Sequence, residues 1–315
     1  MLVNSLNLFS ASKINNLNNN KQYSNFNLNK LEKDPVSFSG TKKKNVQKKK
    51  TISKEEQAGI DMGKRLSRAM RKEHLSLTNT GIILNEKTPV PIQVDYMQNS
   101  PVKLPPATSA HMFPLYNPDF TLNSAQIFIN PTFQTTQDKG NFVANTAHEY
   151  THVLQRAKDK SYFGLKKYTD DIEIIRYVIQ TAQNTYNKIS FTIGQNIGNN
   201  PEYITSKSTG KELNYESVKE IGLNNVSIDD EISTSILLSA MRNPELHNKT
   251  LETIPEKDFM NAIRNCIMKL AEFEKEAYNV TLDTLETWQD YAPETRVIRK
   301  AALDTNKMII EQLKN

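Results

Sequence analysis

Cysteine is nearly absent: Cys266 is the only one in 315 residues. A single thiol excludes an intrachain disulfide and a zinc module built from cysteines. Cys266 also falls in a helical apolar pattern, which predicts a buried thiol rather than a nucleophile. Long apolar runs are missing too, so no membrane-spanning helix is expected. The first ten residues carry no basic stretch, and Asn4 and Asn7 interrupt their apolar part, which makes a poor secretory signal. Together these features favour a cytoplasmic protein and leave secretion without a recognisable signal open. No internal repeat is present.

Negative charge is scarce in one region only. Ten lysines against Glu32 and Asp34 give residues 1–53 a charge of +8; the whole chain carries +5, so the remainder carries −3. Basicity therefore belongs to the tail, and the body has no general nucleic-acid signature. The tail is rich in Asn, Ser and Lys with scattered single apolar residues, a composition that cannot offset its ordering entropy and predicts disorder over 1–53. Its sharpest feature is the lysine run from Lys42 to Lys50. A nucleic acid or an anionic membrane surface could be held there. No aromatic or Arg residues interleave the lysines, which favours a solvated linker.

Beyond the tail the patterning predicts an α+β chain. A helix is expected from Ser53 to about Leu75, with Ser53 and Glu56 as a capping box. Short extended pieces follow at Gly81–Leu84, Val90–Val94 and Pro101–Pro106, and a strand at Ser124–Asn130, giving a sheet of three or four strands over 80–131. The second half reads as mainly helical: Asp170 or Asp171 to Tyr186, Ile228 to Met241, Pro255 or Glu256 to Leu285, and a last helix after Pro293. Residues 188–228 read as irregular, because Gly194, Gly198, Asn199, Asn200 and Pro201 are loop signals.

The chemistry concentrates in Asn145–Gln155, which contains His148-Glu149-Tyr150-Thr151-His152. With 5 His and 21 Glu in the chain, chance supplies about 0.005 matches to H-E-x-x-H. Val143, Ala147, Tyr150, Leu154 and Ala157 recur at helical spacing, and Asn145, His148, His152 and Gln155 form the neighbouring stripe, expected to border a cleft. On a helix the two imidazoles sit one turn apart on one face and can share a Zn²⁺, while Glu149 can act as general base towards an activated water.

A third protein ligand must come from elsewhere. Within Leu270–Tyr278 the periodicity discriminates between carboxylates. Ile263, Ile267, Leu270 and Ala277 define a buried stripe that includes Glu274, whereas Glu272, Glu276, Asn279 and Asp283 share a polar face. A carboxylate on the core side is costly without a cation. Glu276, Glu173 and His247 (in a loop-like run after Asn243) remain alternatives, with His111 and His74 behind them.

A strand followed by an H-E-x-x-H helix resembles the zincin metallopeptidases, and Glu274-x-x-Ala277 resembles the E-x-x-A pattern of gluzincin-type members. Metzincins carry Gly and His beyond the second ligand, where this chain has Gln155 and Lys158. The resemblance covers about 80–157 and 260–285. It implies a zincin-like domain over 54–315, with a small mixed or antiparallel sheet packed on the H-E-x-x-H helix, a predominantly helical C-terminal half, and a helical insertion at about 160–255 that could wall the cleft. It further implies zinc held by His148, His152 and Glu274, Glu149 as catalytic base, and a peptide or protein substrate pairing with an edge at Ala125–Asn130. Tyr278 stands where such families often place Asp or Asn, which leaves the groups orienting the histidines unassigned. Tyr278 and His247 are candidate oxyanion donors. The competing expectation is a non-catalytic or regulatory protein on the same scaffold.

Overall fold

The computed structural model of the chain describes residues 24–25, 82–84, 89–97, 100–101, 109–117, 121–130, 139–159, 162–287 and 292–314. The remainder of the 1–53 tail, the Lys42–Lys50 run, the helix expected at 53–75, His74 and most of Pro101–Pro106 lie outside them.

Five strands form one mixed sheet in the order β1-β2-β3-β5-β4. They are β1 (Ser24–Asn25), β2 (Ile82–Leu84), β3 (Ile92–Tyr96), β4 (Ala110–Tyr116) and β5 (Leu122–Ile129). The short β1 runs parallel to β2, so two residues of the basic N-terminal segment join the sheet. β5 is parallel to β3, with Ile92 opposite Ala125, and antiparallel to β4, with Ala110 opposite Ile129. This corrects the expectation that Ala125–Asn130 is a free edge: β5 is paired on both sides, and among the described residues β4 ends the sheet. β4 is not among the strands expected from the sequence. Pro114 within it is the physical reason, since proline lowers strand propensity yet is tolerated on an edge strand.

Helix α1 (Lys139–Lys158) packs on β4 and β5. Arg156 and Lys158 in its last turn complement the helix dipole. Then come α2 (Ile172–Asn199), α3 (Pro201–Thr209), α4 (Tyr215–Gly222), α5 (Ile228–Arg242), α6 (Pro244–Thr253), α7 (Glu256–Thr287) and α8 (Pro293–Lys314). The chain is thus predominantly helical with a small mixed sheet, and the helices expected from Ile228, Glu256 and Pro293 start at those residues. Among the described residues no helix is long and apolar enough to cross a membrane.

Residues 188–228 are mostly helical rather than irregular, with short breaks at 210–214 and 223–227. Ile189, Ile193 and Ile197 continue the buried stripe of α2 at four-residue steps through Gly194 and Gly198; core packing outweighs the roughly 1 kcal/mol glycine penalty. Asn200 then accepts hydrogen bonds from the Glu202 and Tyr203 amides, and Pro201 occupies the first turn of α3. Asn-Pro here is an N-cap followed by a favoured N1 proline.

Helix α7 is the spine of the molecule. Its first half, from Phe259 to Phe273, packs into one apolar core with α2, α8 and the helices between them. Its second half lies against α1, where Ala147 and Val280 meet at full burial. Ala277 is also fully buried. The segment expected as a helical insertion builds its main interfaces with α7 and α8.

Candidate metal centre

α1 and α7 cross where each carries its chemistry. His148 and His152 stand one turn apart on α1, with ring centroids 4.9 Å apart and planes at 82°. Glu274 of α7 faces them and is 1 % exposed, as its place in the apolar stripe predicts. The two Nε2 atoms are 3.3 Å apart, and each lies 3.4 Å from a different Glu274 oxygen. Those separations are long for hydrogen bonds, whose usual range is about 2.7–3.2 Å. They match the edge of a tetrahedron with arms of about 2.0–2.1 Å, which is about 3.3–3.4 Å. The three side chains could therefore hold a metal ion between them. These are the groups of His, Cys, Asp and Glu that converge in this way among the described residues.

The outward nitrogens are fixed by the protein. Thr281 donates its hydroxyl hydrogen to Ala277 O at 3.0 Å, so at 3.0 Å from His148 Nδ1 it can only accept. Nδ1 carries the proton, and the Nε2 lone pair faces Glu274. Gln155 does the same for His152. Its amide nitrogen donates to Phe273 O at 3.0 Å and to Glu276 Oε2 at 2.9 Å, so its oxygen accepts from His152 Nδ1 at 2.9 Å. Both imidazoles thus present a lone pair to the same point, the arrangement metal-binding histidines need. Gln155 is three residues beyond His152 and already belonged to the expected site stripe. Thr281 is seven residues beyond Glu274, two turns on the same face of α7, a spacing that could have revealed it.

Without metal the triad is strongly coupled. Burial lowers the His148 pKa to about 4, despite its contact with Glu274. Burial acts on His152 too, but the Glu274 charge outweighs it and the pKa is raised. Burial would raise the Glu274 carboxyl; the His152 charge and the contacts with both imidazoles hold it well below the usual carboxylate range. Such a buried charged group is expensive to keep as structure alone.

Glu149 is buried beside the triad, close enough for its charge to act on His152 and Tyr278. The Tyr278 ring meets His148 edge-on at 4.6 Å. Burial, with the charges of Glu274 and Glu149, pushes its phenol pKa up. Arg156, also buried, lies 4.5 Å from the Phe163 ring centre and 5.5 Å from that of Phe273.

The other candidates lie elsewhere. Asn243 caps the Leu246 amide and Pro244 opens α6, so the run expected as a loop is helical. His247 there bonds the Tyr177 hydroxyl at 2.9 Å and stacks edge-on with Phe259. That corrects its candidacy as ligand or oxyanion donor. Glu173 opens α2 and pairs with Lys249 at 2.9 Å, its side chain 65 % exposed. Glu276 holds Gln155 rather than the centre. His111 is buried on β4, opposite Phe128.

Neither a protein-family model, nor a curated protein, nor a solved structure matches this chain.

Proposed function

We propose that this chain is a zinc-dependent metallopeptidase with a gluzincin-like ligand set, His148, His152 and Glu274. The observation that carries the reading is the 3.3–3.4 Å spacing of the three side chains, with both histidine tautomers set by Thr281 and Gln155. A zinc ion bound there supplies Lewis-acid polarisation of a carbonyl and of water.

The chain's own residues do the rest. Glu149 is adjacent in sequence to His148 and outside the triad, and its buried carboxylate takes a proton from the attacking water and delivers it to the leaving amine. Burial keeps competing solvent away from that exchange. Among the described residues β4 ends the sheet, and it packs on α1. An extended peptide adding to β4 would run along the helix that carries the histidines, which shifts the substrate-binding edge from β5 to β4.

The test combines zinc content with hydrolysis of a mixed peptide library. Wild type should hold one zinc and cleave. Glu149→Gln should hold the same zinc and lose about 10²–10⁴-fold in turnover. Equal cleavage by Glu149→Gln would sink the mechanism. A zinc-loaded wild type that never cleaves, with the N-terminal tail removed and pH varied, would favour a non-catalytic scaffold.

A further inference from the structure

Asn145 lies one turn before His148 on α1, and the spacing 145, 148, 152 puts all three on one face. It is 3 % exposed, and among the described residues its Nδ2 has no hydrogen-bond partner. Its Oδ1 accepts a 2.7 Å hydrogen bond from Arg299 Nη2. A guanidinium only donates, so the oxygen end of the amide must face Arg299 and both N–H bonds must point away from it. Folded proteins keep few buried donors of this kind without an acceptor, and those that persist call for a ligand or a function.

Arg299 comes from α8, the last helix, and does more than hold Asn145. It reaches Ser109 Oγ at 3.4 Å, just before edge strand β4 begins. It is also near enough for its charge to act on the Tyr278 phenol, whose ring lies against His148. One cation therefore ties β4 and α1 together and acts on α7 beside the histidines. A bidentate, planar group can hold several acceptors at once in a way a lysine cannot.

We infer that the Asn145 amide nitrogen donates to a main-chain carbonyl oxygen of the peptide beside the scissile bond, with Arg299 as the positioning residue that aims it. This rests on the metallopeptidase reading. A neutral amide donor matches a neutral carbonyl acceptor, and every residue of an extended peptide offers one. Asn145 lies one turn before His148 and is linked through Arg299 to Ser109, beside the start of β4. Arg299 Nη2 is held by Asn145 Oδ1 and faces Ser109, and the donor that this bond turns away from Arg299 is Asn145 Nδ2.

The experiment uses the full chain loaded with cobalt, whose thiolate band reports binding, and two probes. Mercaptoacetyl-alaninamide offers a metal-binding thiol and peptide carbonyls; propanethiol offers the thiol alone. The readout is the ratio of their affinities, which cancels any change at the metal itself. Asn145→Asp keeps an acceptor for Arg299 but removes the donor. It should retain metal and melting temperature while lowering the preference for the carbonyl probe about tenfold, the worth of one hydrogen bond. Arg299→Lys keeps the charge but loses the fixed fork, and should lower the same ratio; it carries the test if Asn145→Asp loses metal. An unchanged ratio in metal-loaded Asn145→Asp, or in Arg299→Lys, overturns the inference. A wild type with the preference but no peptide cleavage supports the binding point and overturns the peptidase reading. A wild type that binds no metal overturns both.

Discussion

Thr281→Val removes one hydroxyl and leaves the side-chain shape nearly unchanged. In the native chain that hydroxyl accepts from His148 Nδ1 and donates to Ala277 O, both at 3.0 Å, with Thr281 fully buried. With valine, a metal bound at Nε2 forces the proton onto an Nδ1 that has no acceptor. An unmet buried donor costs about 1–3 kcal/mol. The metal-free protein escapes part of that cost, because the ring can move its proton to Nε2, which faces the Glu274 carboxylate. The difference falls on metal binding: zinc affinity should drop about 10–100-fold, the range common for groups that orient a ligand. Thr281→Ser keeps the hydroxyl and should stay near wild type. Competition against a chromophoric zinc chelator measures all three proteins, with melting of the metal-free forms as the folding control. Equal zinc affinity for wild type and Thr281→Val would refute the tautomer argument, and with it the role given to Thr281.

Glu274→Gln should lose more zinc affinity than Thr281→Val, whereas Glu276→Gln, Glu173→Gln and His247→Ala should keep stoichiometric zinc; metal analysis after dialysis separates them, and retention by Glu274→Gln would remove it from the ligand set. Zinc uptake should release a proton where the pH lies below the His152 pKa, because Glu274 raises that pKa above its ordinary 6.5 and the metal displaces the proton. Affinity should therefore climb with pH up to the raised value and then level off. Calorimetry in buffers of different ionisation heat reads the proton count, and a count of zero would mean that His152 is already neutral. Gly210→Ala should destabilise the fold by about 1–2 kcal/mol, the usual cost of a left-handed backbone at a residue with a Cβ. Gly210 has φ +69°, and an added Cβ would sit 2.8 Å from Pro293 Cβ. An unchanged melting temperature would show that α8 yields at that contact.

The H-E-x-x-H spacing was readable because helix geometry is local: four residues make one turn, so the sequence alone places His148 and His152 side by side. The same regularity put Glu274 on the buried stripe of α7 and assigned Cys266 to the core, and both are buried. The helices opening at Ile228, Glu256 and Pro293 were legible at their start residues, whereas those opening at Pro201 and Pro244 were read as irregular or loop-like. Stripes interrupted by glycine and asparagine were not, since α2 continues through Gly194 and Gly198 on the strength of isoleucines that pack against distant helices. Sheet order also escaped the sequence. Strand propensity marks β5 as a strand but says nothing about its neighbours, and only pairing with both β3 and β4 makes it central. The most consequential tertiary facts are contacts across more than a hundred residues: Thr281 on His148, Gln155 on Phe273 and Glu276, and Arg299 on Asn145. Each depends on where α7 and α8 land against α1. A single sequence encodes that landing in the shape of a whole core, not in a spacing along one element, and so the histidine pair was fixed locally while everything that aims it was decided by the packed chain.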